Sequence, residues 1–248
     1  MSESESILEA PTTAYILPLI VFLIVATFYP NFADSYASDG LGGEPPRGAT
    51  RETQTYLAMV AIQVVVASAL VFRFRKTYLA EFPLRVSWMA VPVGLVGVVL
   101  WVLLAELGAE SVVLNALGIE ASRPSFNPFT IGDTTARGVF LVLRFALLAI
   151  LVPIVEELFL RGWLMRWIEN PDFQTVSLKQ LGVGALLSAS AYGVLTHPSE
   201  AIAAFMWFGL VTLLMRWTGN LWDCVVAHGV TNLLLGVYVI VYAQWHLW

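Results

Sequence analysis

Long apolar segments dominate this sequence and leave few folds open to it. Lipid offers the backbone no hydrogen-bond partners, so only helices and closed barrels cross a bilayer, and a spanning helix needs about 20 mostly apolar residues. Seven segments approach that length, at residues 13–29, 55–72, 86–107, 137–167, 181–196, 201–217 and 221–244. The pattern predicts an all-α, polytopic membrane helix bundle of about seven (seven to eight) transmembrane helices.

The composition agrees with a membrane protein and excludes several classes of function. Only 12% of the 248 residues are charged, against about 25% in an average soluble domain. No basic stripe suggests contact with phosphates, so nucleic acid is excluded as a partner. The single Cys224 can form neither an intramolecular disulfide nor a thiolate metal cluster. We expect one membrane-embedded domain over residues 1–248, in a multi-pass integral protein of the cell membrane that contacts the lipid bilayer.

Charges that flank the apolar segments predict the orientation. The residues before Tyr15 are acidic and include no Lys or Arg, so we expect a retained anchor and not a cleaved signal peptide. The loop after the second segment holds the densest basic cluster, Arg73, Arg75, Lys76 and Arg85. By the positive-inside rule this loop and the N-terminus are cytoplasmic, and the segments 31–51 and 108–135 are outside. Pro124 and Pro128 predict a re-entrant or interfacial loop within the second of these.

Two adjacent carboxylates and an arginine interrupt the fourth apolar segment, in the sequence PIVEELFLR. A charged side chain at the centre of a spanning helix costs about 2.5 kcal/mol or more, so Glu156, Glu157 and Arg161 should face the bundle interior and find partners there. Glu157 and Arg161 share a helix face, while Glu156 points about 100° away. One carboxylate can therefore pair with the guanidinium while the other is left for chemistry. An ion pair that only joins helices is the structural alternative.

Two histidines and a carboxamide accompany the later apolar segments. His228 and Asn232 are one helical turn apart and project from one face, and His197 lies between the fifth and sixth segments. With the glutamates they could activate a water molecule, since glutamate can act as general base while imidazole and amide N–H groups donate to an oxyanion. Each residue alone also fits a structural role, such as a histidine bonded to a backbone carbonyl. His246 is interpreted as an interfacial residue.

These three stretches together resemble the CPBP intramembrane proteases, which include the type II, Rce1-like CAAX prenyl endopeptidases and bacterial immunity proteins. The first motif of that family, EExxxR, corresponds to Glu156, Glu157 and Arg161. The third motif, a histidine followed four residues later by Asn or Asp, corresponds to His228 and Asn232. The resemblance covers about residues 139–239, the family core.

The second motif, an aromatic residue four positions before a histidine, is met only in part. The histidine corresponds to His197, but Gly193 stands at the aromatic position and Tyr192 lies one step earlier. A looser likeness, in residues 56–82 and in the RPSFNPF segment, is to the CAAX-protease-related proteins associated with exosortase systems.

The resemblance implies hydrolysis of a peptide bond in a membrane-associated peptide or protein substrate, within or at the edge of the bilayer. By this carry-over, Glu156 and His197 would activate the water molecule. Glu157, paired to Arg161 as structural support, would assist or share the base role. The oxyanion of the tetrahedral intermediate would be stabilised by the residues of the third motif, His228 and Asn232.

Descriptions of the family call these enzymes metal-dependent, and the residues leave two mechanisms open. Zinc could be held by candidates from one set, Glu156, Glu157, His197 and His228. We favour the version without metal or other cofactor, because imidazole and carboxamide donors are available where a Lewis acid would otherwise be needed.

Two other classes of function compete with the protease. A non-enzymatic membrane chaperone or immunity and assembly factor could keep the fold without turnover, and the displaced aromatic favours it. A proton-coupled transporter could use the same Glu and His residues as a relay, but it needs them strung across the membrane, whereas a protease needs them at one point. His197 would lie about 24 Å along the fifth span and His228 only about 10 Å into the seventh, so the two depths disagree.

Overall fold

The structure, a computed structural model, describes residues 11–30, 49–110 and 126–247. Within these ranges the chain is helical and forms no β-strand, which confirms the predicted all-α fold. The principal helices are α1 (Pro11–Ala26), α2 (Ala49–Glu81), α3 (Ala90–Glu106), α4 (Thr134–Glu169), α5 (Val183–Thr196), α6 (Ala201–Thr218) and α7 (Leu221–Tyr242). Each of them corresponds to one of the seven predicted apolar segments.

Four of the described helical segments are long and apolar enough to cross a membrane: Arg51–Glu81, Thr134–Glu169, Pro198–Thr218 and Leu221–Tyr242. The other three, α1, α3 and α5, have 16, 17 and 14 residues. Their lengths of about 21 to 26 Å are below the ~30 Å of a hydrocarbon core. Long and short apolar helices thus combine in one bundle, as expected of an integral membrane protein.

Helix α2 is longer than the second predicted segment. The basic sequence RFRK, expected in the following loop, lies on the helix, which continues to Glu81. Lys, Arg, Leu, Ala and Glu are all good helix formers, and the helix ends shortly before Pro83, a residue that cannot continue it. The basic residues therefore stand on an extension of the helix.

Most of the two predicted outer loops lies outside the described residues, in segments 31–48 and 111–125. The described part of the second loop contains a 3₁₀ turn at Pro128–Thr130. Asp133 then caps α4, because its side chain accepts a hydrogen bond of 2.7 Å from the Ala136 N–H. The re-entrant conformation and the orientation in the membrane stay predictions.

Small residues allow α3 and α7 to approach closely. A Cβ atom on Gly94 would lie 2.7 Å from the Ala227 carbonyl oxygen and 2.8 Å from the Val230 Cβ, so only glycine fits there. The Thr231 hydroxyl lies 3.0 Å from the Gly94 carbonyl oxygen and accepts a hydrogen bond of 3.2 Å from the Trp207 indole N–H. These contacts connect α3, α6 and α7.

Helix α4 is continuous over 36 residues, about 54 Å, as the long fourth segment predicted. Two stretches, Leu147–Leu151 and Leu158–Leu164, have π-helical geometry. In the first, the Val152 N–H donates to the Leu147 carbonyl, an i→i+5 hydrogen bond. Such stretches are frequent at functional sites, and here they flank the pair of glutamates.

A polar cluster holds the end of α4 against α1 and α2; its members are Arg166, Glu81, Tyr15 and Gln174, and we call it the Arg166 cluster. Arg166 pairs with Glu81, and it donates to the carbonyls of Val176 at 2.8 Å and Gln174 at 3.0 Å. Glu81 also accepts from the Tyr15 hydroxyl at 2.5 Å and from the Gln174 amide at 3.2 Å. The charges of Arg166 and Glu81 thus compensate each other.

Candidate active site

Four of the polar residues predicted from the sequence line one cavity of about 120 Å³, together with Arg144 and Thr231. Glu156 comes from α4, His197 from the end of α5, and His228 and Asn232 from α7. The remaining lining is largely apolar and includes Trp101, Leu148, Val152, Trp207, Phe208, Leu235 and Leu247. The cavity has room for several water molecules, so the structure brings a carboxylate, two imidazoles and an amide around one space large enough for a reacting water.

Glu157 lies behind this cavity and not in its lining. Its carboxylate forms a fully buried ion pair with Arg161, the pair expected from their spacing. Arg161 also donates to the Phe208 carbonyl at 3.1 Å and to the Thr212 hydroxyl at 3.2 Å. The other carboxylate oxygen, Oε1, lies 3.0 Å from Nδ1 of His228. Both oxygens of Glu157 are therefore engaged, and the residue orients its neighbours.

His228 is fixed on two sides. Its Nδ1 atom faces Glu157, which as a carboxylate can only accept, so this nitrogen carries the proton. The Trp207 ring packs against the imidazole with its centroid 4.5 Å away, in an edge-to-face arrangement. These contacts leave Nε2 as the ring nitrogen that can act in the cavity.

His197 begins the turn between α5 and α6. It has left helical geometry, at φ −129° and ψ 61°, because Pro198 follows and disfavours the helical conformation of the preceding residue. Its Nδ1 atom lies 3.2 Å from the Gly193 carbonyl oxygen and 2.9 Å from the Thr196 hydroxyl. Both imidazoles line the cavity, so the difference in depth expected from the sequence does not separate them.

Gly193, where the resemblance predicts an aromatic residue, is occupied from another helix. A Cβ atom on Gly193 would lie 2.3 Å from the Phe208 ring, because Phe208 of α6 fills that space. The Phe208 ring packs 6.0 Å from the His197 ring and 5.6 Å from the Tyr192 ring, centroid to centroid. In the motif, the aromatic residue that packs against the histidine comes from the same helix as the histidine. Here Phe208 of α6 supplies that packing instead.

Asn232 is anchored by a carbonyl group of the π-helical stretch that has no backbone N–H donor. Its Nδ2 atom donates a hydrogen bond of 2.9 Å to the Leu148 carbonyl. In the i→i+5 pattern the backbone donor for this carbonyl would be residue 153, but Pro153 has no N–H. One amide N–H of Asn232 is thus used for positioning, and the other is left for a ligand in the cavity.

Two site residues were missed by the sequence reasoning: Arg144, which lines the cavity, and Tyr192, whose hydroxyl interacts with the Glu156 carboxylate. Over twelve residues of regular α-helix, Arg144 and Glu156 would diverge by about 120° around the axis. The π-helical stretch between them accommodates one extra residue, which removes about 100° of that divergence. Sequence periodicity alone could not place the two residues together.

The residues present do not fit a zinc site. Among the residues that the structure describes, no three or more His, Cys, Asp or Glu side chains are arranged to hold a metal ion. Glu157, a zinc candidate from the sequence, has both carboxylate oxygens committed to Arg161 and His228. We therefore derive no catalytic step through a metal.

The fold and the site together define a class: an integral membrane helix bundle with a glutamate, two histidines and an asparagine around an internal cavity. Residues 138–234 match the family model described as Rce1-like, type II CAAX prenyl endopeptidase. This part of the chain is thus an Rce1-like domain, which confirms the resemblance to the CPBP proteins and contains every residue of the three motifs. No curated protein and no solved structure matches the chain significantly.

The family match implies a CAAX-type protease in general, a hydrolase that acts on membrane-associated substrates in a bilayer. The narrower likeness to exosortase-associated proteins stays a prediction. The match says nothing of the role of each residue, so that assignment depends on the geometry of the site.

Proposed function

We propose that the protein is an intramembrane endopeptidase that hydrolyses a peptide bond of a membrane-associated substrate with a glutamate-activated water molecule. One observation carries the proposal: Glu156, His197, His228 and Asn232 line a single cavity, although they come from distant parts of the sequence. Polar groups are costly in hydrocarbon when they are dispersed, and their convergence is what water activation requires.

The division of labour between the two glutamates follows from their contacts. Glu157 is neutralised by Arg161 and holds His228, so Glu156 is the carboxylate left to act as general base. With Nδ1 donating to the Gly193 carbonyl, Nε2 of His197 carries the lone pair and can accept a hydrogen bond from the attacking water. Glu156 takes the proton of that water while its oxygen attacks the scissile carbonyl carbon.

We assign the stabilisation of the oxyanion to two residues of α7. For this role the His228 ring must carry a second proton, so that Nδ1–H donates to Glu157 while Nε2–H donates to the oxyanion. The second amide N–H of Asn232 is the other donor. When the C–N bond breaks, the proton held by Glu156 passes to the leaving nitrogen, which restores the starting state of the base.

We test this function with Glu156→Gln, which keeps the shape of the side chain and removes the base. Loss of a general base lowers rates by about 10²- to 10⁴-fold. Wild type and variant are reconstituted in vesicles with an internally quenched, prenylated CAAX peptide. In parallel, new peptide termini in membranes of cells that express each form are mapped by mass spectrometry.

Glu169→Gln is the matched control, because Glu169 lies on the same helix outside the cavity and accepts a hydrogen bond of 2.8 Å from the Gly182 N–H. We expect new termini and peptide cleavage with wild type and with Glu169→Gln, and neither with Glu156→Gln. Cleavage that persists in Glu156→Gln would overturn the proposal.

A mechanism without metal is part of the proposal. We expect elemental analysis of the purified, active protein to find no stoichiometric zinc, because the described acidic and histidine side chains form no suitable ligand group. One zinc per chain, lost together with activity in His197→Ala and His228→Ala, would contradict this mechanism and leave the hydrolase assignment intact.

The two competing functions are less well supported by the site. A relay would distribute the ionisable groups across the membrane, whereas these share one cavity. The missing aromatic residue at position 193 favoured a protein that keeps the fold without catalysing a reaction. Phe208, however, fills the space at Gly193 and packs beside His197. The protease therefore accounts for more of the described contacts than either alternative.

A further inference from the structure

Two buried polar atoms beside the cavity lack the hydrogen bond that burial normally requires. They are Oε2 of Glu156 and the hydroxyl oxygen of Tyr192, and neither has a hydrogen-bond partner among the described residues. The two groups interact electrostatically, and the Tyr192 ring packs against Phe159, three residues after Glu156 on α4. Buried polar groups are almost always satisfied, so an adjacent donor and acceptor in this state need an explanation.

Aromatic contacts fix the Tyr192 ring, while its hydroxyl forms no hydrogen bond with the described residues. Phe159 of α4 packs with its ring centroid 5.9 Å from that of Tyr192, and Phe208 of α6 packs at 5.6 Å. Tyr192 is absent from the cavity lining, whereas Glu156 belongs to it. The Tyr192 hydroxyl can therefore interact with Oε2 of Glu156, but it does not contact a substrate in the cavity.

We propose that Tyr192 is a positioning residue whose hydroxyl donates a hydrogen bond to Oε2 of Glu156. This bond fixes the carboxylate plane, so that Oε1 points into the cavity, where it receives the proton of the attacking water. The inference rests on the proposed function of Glu156. The two atoms form no hydrogen bond in the structure, and we expect the bond to form when a substrate occupies the cavity, because catalytic hydrogen bonds commonly tighten on binding.

The contact itself can be tested without any substrate. An infrared difference spectrum between wild type and Glu156→Gln isolates the carboxyl band of Glu156 in purified protein. The same difference is recorded in a Tyr192→Phe background. We expect the Glu156 band to shift when the hydroxyl is removed, and an identical band in both backgrounds would overturn the proposal.

The catalytic consequence is measured with Tyr192→Phe and the prenylated CAAX peptide. A hydrogen bond to a charged group that is made at full strength in the transition state corresponds to about 10- to 100-fold in kcat. We expect that loss in kcat with KM within about 2-fold, because Tyr192 does not line the cavity. The melting temperature should stay the same or rise, because a buried hydroxyl without a full hydrogen bond is removed.

Tyr78→Phe is the matched control, since its buried hydroxyl donates to the Ala14 carbonyl between α2 and α1, away from the cavity. That variant should lose thermal stability and keep its kcat. An unchanged kcat in Tyr192→Phe, or a kcat that falls together with the melting temperature, would overturn the positioning role. Persistent cleavage by Glu156→Gln would instead show that the proposed function is wrong, while the infrared result would still decide the contact.

Discussion

Two buried arginines of helix α4 compensate carboxylates in different ways. In the Arg166 cluster, Arg166 and Glu81 pair with one another and also bond to their neighbours. At the cavity, Arg161 neutralises Glu157 but not the adjacent Glu156, whose Oε2 atom is buried without a hydrogen bond. The comparison teaches that a complete polar network marks a structural anchor, whereas a carboxylate left over beside such a network is available for chemistry.

The largest effect that separates the two regions is expected from Arg161→Ala. It leaves Glu157 as a buried, uncompensated charge, and breaking such a pair costs about 3 to 5 kcal/mol. We expect less folded protein in the membrane and a strong fall in total activity, measured by size-exclusion chromatography in detergent and by peptide cleavage. A variant that stays folded and abundant yet is inactive would assign Arg161 to the chemistry instead.

A smaller loss is expected from Arg166→Ala, about 2 to 3 kcal/mol, in the range of charged hydrogen bonds. Its partner Glu81 retains 15% of its side-chain exposure, so water can partly solvate the stranded carboxylate. The fraction that folds should cleave the peptide at the wild-type rate per molecule. A lower rate in well-folded Arg166→Ala would mean that the anchor also controls the site, which would weaken the comparison.

The smallest effect is expected from Gly193→Ala, which tests the packing beside His197 at the cavity. The new Cβ would meet the Phe208 ring at 2.3 Å, and overpacking of this kind costs about 1 to 3 kcal/mol. Thermal unfolding should show the loss, and Phe208→Leu introduced in the same chain should restore part of it. If Gly193→Ala is fully stable, Phe208 has room to move and does not fix His197.

Sequence periodicity was sufficient for contacts within one helix. It predicted the Glu157–Arg161 pair and the shared face of His228 and Asn232, because the helical repeat fixes which side chains of a single helix are neighbours. The apolar runs likewise predicted the seven helices, and the family motifs named four of the residues that line the cavity. The catalytic roles of those residues stay predictions.

Contacts between helices could not be predicted from the sequence. Arg166 and Glu81 meet across the packing of α4 on α2, and Tyr192 reaches Glu156 only because α5 packs beside α4. Phe208 replaces a missing aromatic from a third helix. Each depends on the tertiary arrangement, which a single sequence does not encode in any local pattern.

The π-helical stretch at Leu147–Leu151 has a consequence for insertions and deletions in this region. Because it holds one residue more than a regular helix needs, deletion of a single residue there would convert it to α geometry without breaking the helix. The part before it, with Arg144, would then keep its orientation relative to Glu156, because eleven residues of regular helix leave the two side chains about 20° apart. A homologue that is one residue shorter between these positions would need a gap in the alignment and would still present the same two side chains to the cavity.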